Sequence, residues 1–352
     1  MTAMSAHAIM DDALDFLAPY GPDLRNGLTN HAPMAIEALC AVGRGDAVLP
    51  WLERYRKELL PRPALQERIT PDGWRGALGR LDRTEDWRAF FVERLAEEPW
   101  GDVVGRWTAR LAPGLCASAT HGVIRTAHAV RALDDAASRA RIAELAEGLG
   151  YWAANYQTLP TAQATGVQRL AARDAIARVR VVPEEERRFT GTIVSSLEAL
   201  DAHPDFPPVI DLLDADRPPD VAIADLTETF ARVYLANARD VLTTIVFVHG
   251  VTSASALRLL VPHLDVATAR DVVRYGWQTG AALYAAFGTA PPPAGDVAPP
   301  PENAATLVDR AIANGDEHAI KLTEACLREH AVHPSAAYLA AARHAIGMLP
   351  PA

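Results

Sequence analysis

The stretch Val241-Leu-Thr-Thr-Ile-Val-Phe-Val-His-Gly-Val251 decides the fold class. Its β-branched residues read as a strand on propensity. A strand needs a partner, because an isolated strand is not stable. The next-best strand pattern is Arg-Val-Arg-Val-Val-Pro at 178–183, which serves equally well as an extended connector. With no comparable second strand, residues 241–251 are expected to be helical, and the chain all-α. The rest of the sequence fits that reading. Apolar residues recur at three- and four-residue spacing over 31–42, 48–60, 85–97, 101–110, 121–133, 136–148 and 150–157, with Pro99 dividing the third and fourth segments. The pattern continues over 163–177, 190–200, 222–238, 253–263, 266–287, 303–313, 317–330 and 335–346. Asn30, Ser253 and Asp265 stand where helix starts are expected.

Proline-rich stretches at 60–73, 203–220 and 289–301 punctuate the helices. The last is stiff and extended by composition. We read it as a long surface loop within a single large multi-helical domain spanning 1–352, because the segments on its two sides are expected to act together.

Composition narrows the function. The chain has 352 residues, 49% hydrophobic and 22% charged, with a net charge of −10. No basic stripe is present, which argues against nucleic acid as a partner. Cys40, Cys116 and Cys326 are far apart and form no CxxC, so buried free thiols are expected rather than a zinc ribbon or a thioredoxin-type site. The N-terminal residues MTAMSAHAIMDDALDF lack the basic start and apolar run of a secretory signal. No uninterrupted apolar stretch reaches the ~18 residues of a membrane span. A cytoplasmic location without membrane attachment follows. No GxGxxG follows a strand, so NAD(P)H has no visible binding motif. Oligomeric state is not legible.

Histidines carry the chemistry. His31, His121, His128, His249 and His318 each lie among apolar or small residues on separate helical segments, apart from the pair His121 and His128. Inward-facing imidazoles from several helices are the raw material of a metal centre. His31 falls in a first helical turn, where the positive helix end favours the neutral ring that metal ligation requires. His121 and His128 share a stripe but lie about 10.5 Å apart along the axis at ~1.5 Å per residue, so one ion can hardly take both. The natural split is one ligand and one residue facing the substrate. Arg125 is on that stripe too, suited to an anionic substrate oxygen or to an ion pair with Asp134 or Glu144. His249 needs partners for both ring nitrogens, which a metal and a backbone carbonyl would supply. His318 and Lys321 are helical neighbours. Lys321 either pairs with Glu317 or Glu324, or loses its charge on burial and becomes a neutral or carboxylated ligand. His263 reads as structural, and His7, His203, His330, His333 and His344 as surface residues. Trp152, Tyr151, Tyr156 and Trp277 are candidate walls of an apolar substrate cavity, though each suits core packing as well. Imidazole with carboxylate-like oxygen suits iron or manganese, with zinc as another occupant.

The segments TNHAPMAIEAL (29–39), PWGDVVGRWTARLAPGLCASATHGVIRTAHAVRAL (99–133), AEGLGYWAANYQTLP (146–160), VFVHGVTSASALRLLVPHL (246–264) and GDEHAIKLTEACLRE (315–329) resemble the questin oxidase-like family. The resemblance runs from about residue 30 to about residue 340. It implies an oxygenase acting with dioxygen on anthraquinone-like polycyclic aromatics, by Baeyer–Villiger-type or ring-cleaving oxidation. It also implies a non-haem iron (Fe2+) centre held by His31, His121, His249, His318 and a carboxylated Lys321. From their place on the His121 stripe, we read His128 as the general base and Arg125 as the residue on a substrate oxygen. Two readings compete with it: a non-catalytic binder of a hydrophobic metabolite with a structural metal or none, and a metal-dependent hydrolase, which the lack of a strand-borne HxH pair disfavours.

Overall fold

The computed structural model describes residues 9–163 and 169–352. In it Val241–Leu260 is one helix. Its start explains why the β-branched residues do not form a strand. Asp240 Oδ1 accepts from the Thr243 backbone N–H at 2.7 Å, and Thr243 Oγ1 accepts from the Asp240 backbone N–H at 3.1 Å, a reciprocal cap. From Val246 to Leu257 every residue of this helix is buried. A helix that is apolar on all sides belongs inside a protein. With the 3-10 turn that follows, Val241–His263 is by mean hydropathy long and apolar enough to cross a membrane, although threonines, His249 and Gly250 interrupt it, and 78% of its apolar window is buried inside the fold.

The described residues contain sixteen α-helices, and the all-α class holds. One ribbon departs from it: Tyr20–Leu24 pairs antiparallel with Leu59–Pro61, Tyr20 opposite Pro61 and Leu24 opposite Leu59. The expected 48–60 helix therefore ends at Tyr55. The ribbon steers the chain into His31, since Asn30 N donates to Pro22 O at 2.7 Å. Four other boundaries shift. Residues 136–157 make one helix, Arg139–Ala154, rather than two. Ser253 lies inside the Val241–Leu260 helix and starts nothing. The expected 163–177 helix shrinks to Ala172–Ile176, residues 164–168 lying outside the described residues, and that expected at 190–200 to Ile193–Glu198 followed by a 3-10 turn. Asp265 caps Val266–Phe287 as expected, accepting from Thr268 N at 2.7 Å.

The larger hydrophobic core includes residues from Met34 to Leu349; a smaller one gathers Met10 to Leu59 with Ala132 and Ile320. The 289–301 loop is tethered to the Pro219–Asn237 helix: Arg232 Nη1 donates to Gly295 O at 2.8 Å, and Asn237 Oδ1 accepts from Thr289 N at 2.7 Å. Helices His121–Asp135 and Arg139–Ala154 approach closely through glycine, a Cβ on Gly122 falling 2.7 Å from Trp152 Cα.

Candidate metal centre

Four helices bring four imidazoles together. His31 sits at the start of Ala32–Ala41, with Asn30 Oδ1 accepting from Ala32 N at 3.0 Å to cap that turn. His121 opens His121–Asp135, His249 lies mid-way along Val241–Leu260, and His318 follows the Asp316 cap of Glu317–Val332. One ring nitrogen from each lies within 4.8 Å of the others, and all four residues are buried.

The partners of the outer nitrogens decide what the inner ones can be. His249 Nδ1 faces Ile245 O at 2.7 Å, and His121 Nδ1 bonds Ser118 O. A carbonyl only accepts, so both Nδ1 atoms carry hydrogen. His31 Nδ1 donates to Glu317 Oε1 at 2.9 Å. Burial first, then Lys321 and the neighbouring histidines, hold His31, His121 and His249 well below the ordinary imidazole value, so these rings are neutral. Each then presents an unprotonated Nε2. His31 Nε2 is 2.5 Å from His121 Nε2, and His121 Nε2 is 3.1 Å from His249 Nε2. These contacts set acceptor against acceptor. A hydrogen bond in either would need an imidazolium, which burial opposes. A cation at their meeting point satisfies all of them at once. The donor set therefore fits a transition metal that favours imidazole.

His318 is less fixed. Its Nδ1 lies 3.3 Å from Asp316 Oδ1, but that oxygen already accepts from His318 N and Ala319 N, and Nδ1 makes no hydrogen bond. Lys321, one turn on, is 2% exposed. Burial brings its amine down to about 8, against the pull of Glu317 and Asp316. Neither of the two carboxylate pairings open to Lys321 forms: Glu317 goes to His31, and Glu324 to Arg131 and Arg328.

His128 and Arg125 lie on the same helix as His121 but outside the four-nitrogen group. His128 Nδ1 donates to Glu37 Oε2 at 2.6 Å. It belongs to an ionic layer about two turns along the ligand helices, where Arg131 bridges Glu37 and Glu324, Arg328 reaches Glu324 at 3.0 Å, and Arg258 and Ser255 hold Glu329 at 2.7 and 3.1 Å. Burial opposes the Glu324 charge, but Arg131 and Arg328 prevail and hold its carboxyl at about 2. Arg125 takes the second of its two anticipated roles, donating Nε and Nη2 to Glu144 at 2.6 and 2.8 Å; its Nη1 is buried without a partner.

All four histidine-bearing segments fall within the reach of one known family. A model of the questin oxidase-like family covers residues 28–326. The chain belongs to the questin oxidase-like family. Membership makes it an oxidoreductase of the oxygenase kind, from a family whose reactants are aromatic polyketides and dioxygen. No curated protein matches it.

Of the four anticipated cavity walls of this questin oxidase-like chain, Trp152 and Trp277 take the core-packing role that was the other reading of each, while Tyr156 is partly buried against that core. Trp152 Nε1 donates to Gly114 O at 3.0 Å and Trp277 Nε1 to Val209 O at 2.8 Å, and both rings are fully buried. A groove of about 580 Å³ lies elsewhere, between Leu235, Pro299–Pro301 and the helix bearing Arg343 and His344. His263 packs at a tilt against Trp100 and reaches Asp134, the structural role expected, whereas His344 is half-buried on the Tyr234 hydroxyl rather than free at the surface. His7 lies outside the described residues. All three cysteines are buried free thiols. Glu37 and the hydroxyls of Thr29 and Ser118 join the site without having been anticipated from the sequence; Glu317 was expected only as a partner of Lys321, and Tyr151 only as a cavity wall. The acidic pair directly before His318, and the glutamate six after His31 in an apolar helix, are the signals that point to the two carboxylates.

Proposed function

We propose that His31, His121, His249, His318 and Lys321 hold a single iron ion, and that the chain uses it to oxidise an electron-rich polycyclic phenol or quinone. The oxidation is of Baeyer–Villiger or ring-cleaving type, with dioxygen as oxidant. The observation that carries the reading is the convergence of three Nε2 lone pairs whose Nδ1 hydrogens are already committed. Bound there, iron supplies one-electron redox chemistry with dioxygen.

The protein's own groups prepare the site. With its amine near 8, Lys321 is neutral in roughly a tenth of molecules at pH 7. The neutral amine adds carbon dioxide, releasing a proton and leaving an anionic carbamate whose oxygens complete a nitrogen-and-oxygen donor set. His128, with Nδ1–H on Glu37, presents an unprotonated Nε2 for a substrate hydroxyl; burial holds the ring below the ordinary imidazole value, and the Glu37 carboxylate partly offsets this by supporting the charge that arrives. Arg125 Nη1, buried and unpartnered, is the remaining donor on the His121 helix for a quinone oxygen. Oxygen uptake by iron-loaded protein over a panel of anthrahydroquinones, aerobic against anaerobic and with His128→Ala alongside, tests this. Uptake that needs both iron and substrate, and falls by a factor of about 100 or more in His128→Ala, is expected. No uptake with any member would leave a metal-holding binder of hydrophobic metabolites.

A further inference from the structure

Among the described residues, the non-glycine positions with positive φ are three in a row: Ser118 at 48°, Ala119 at 52° and Thr120 at 74°. Left-handed backbone costs an L-residue roughly 1–2 kcal/mol, so such a run persists only where its surroundings dictate it. Helix capping does not dictate it. Thr120 occupies the cap position before His121, yet its hydroxyl is buried and bonds nothing. What the turn achieves is the placement of one carbonyl. Ser118 O accepts from the His121 backbone N–H at 3.2 Å and also from His121 Nδ1.

The clamp on this turn is Tyr151. Its hydroxyl lies 2.9 Å from Ser118 Oγ and 2.8 Å from Thr29 Oγ1, with the two smaller hydroxyls 3.4 Å apart. Thr29 is two residues before His31, and Ser118 three before His121. One buried phenol thus fastens both chain segments that deliver the two imidazoles whose Nε2 atoms are 2.5 Å apart.

We propose that Tyr151 is a positioning residue of the metal centre: it locks the left-handed Ser118–Thr120 turn, whose carbonyl fixes the tautomer and aim of His121. The inference rests on the four-histidine reading above. It assigns the Thr29, Ser118 and Tyr151 hydroxyls to holding the His121 ligand rather than to contact with substrate.

The test compares wild type with Tyr151→Phe, Ser118→Ala and Thr29→Val, the last removing the hydroxyl bond with little change of shape. Zinc(II) is the probe, because its complex is diamagnetic. Dissociation is followed by transfer to a chelator, and the His121 tautomer by long-range 15N–1H NMR. Tyr151→Phe and Ser118→Ala should weaken zinc binding by about 10- to 100-fold, with His121 partly in the other tautomer. The chelated forms of all variants should melt close to chelated wild type. If wild type holds zinc while every variant holds it as tightly, with Nδ1–H of His121 unchanged, the positioning role is overturned. Equal loss of melting temperature with and without zinc, at unchanged affinity, also overturns it, since that marks a fold contact. Failure of wild type to bind zinc or iron would instead remove the metal centre itself, and this role with it.

Discussion

Replacing His249 by alanine should change stability only when metal is present. In the metal-free protein the substitution removes the Nδ1 bond to Ile245 O, 2.7 Å long, at a net loss of about 1 kcal/mol. It also leaves a small void costing about 1–2 kcal/mol. Against this, it removes a buried Nε2 acceptor that faces another acceptor at 3.1 Å, an unsatisfied arrangement worth about 1–3 kcal/mol. Alanine further improves helix propensity by about 0.6 kcal/mol. The terms nearly cancel, so chelated wild type and chelated His249→Ala should agree within about 1 kcal/mol. With metal at 100 times its dissociation constant, wild type gains about 2.7 kcal/mol. A variant binding 100-fold more weakly gains only about 0.4 kcal/mol at the same concentration. At about 2.1 cal/mol/K of unfolding entropy per residue, the 352-residue chain should show a metal-induced rise of ~4 °C in wild type and under ~1 °C in the variant. Thermal melts by circular dichroism under the four conditions read this directly. A chelated variant melting far below chelated wild type, with metal shifting neither, would refute the reasoning. The nitrogens would then be an ordinary hydrogen-bonded core.

Acid should destabilise the chelated protein from about pH 6.5 downward. His31, His121 and His249 are depressed in the folded state, so above 6.5 both states are neutral, and below it the unfolded chain takes up protons that the folded chain refuses. Each ring that stays neutral loses about 1.4 kcal/mol per pH unit; these three make urea unfolding at pH 7.5 and 5.5 differ by at least about 4 kcal/mol, His128, also depressed by burial, adding in the same direction, and His249→Ala should show about 1.4 kcal/mol less. Gly122→Ala should cost about 1–3 kcal/mol and weaken metal binding, because its Cβ meets Trp152 Cα at 2.7 Å beside His121. Gly76→Ala, with nothing within 4 Å of its Cβ, serves as the neutral control in the same melts and titrations.

The 241–251 run shows what the sequence can tell. Elimination leads to a helix, and the local cause, Asp240 with Thr243 three residues on, is itself a sequence signal. The Tyr20–Leu24 ribbon is not legible, because its strands are short and their pairing joins residues far apart in sequence. Axial spacing says only that His121 and His128 cannot share one ion; the four-nitrogen group includes the first and not the second. Spacing cannot settle Arg125, since a guanidinium on a buried stripe suits an ion pair and a substrate oxygen equally, and Glu144 claims two of its nitrogens. The Glu317 contact with His31 spans 286 positions, and no periodicity encodes it. Least legible is the Ser118–Thr120 turn. Serine, alanine and threonine disfavour positive φ, so local propensity points away from the conformation that the surrounding hydroxyls impose.

The central claim is that four imidazoles from four helices enclose one metal ion. Anomalous diffraction at the iron edge, from crystals of protein purified without chelator and loaded with iron(II), tests it most directly. A single anomalous peak bounded by the rings of His31, His121, His249 and His318, absent in crystals of His318→Ala, is expected. A map with no peak among these rings, or one whose peak is unchanged in His318→Ala, would contradict it.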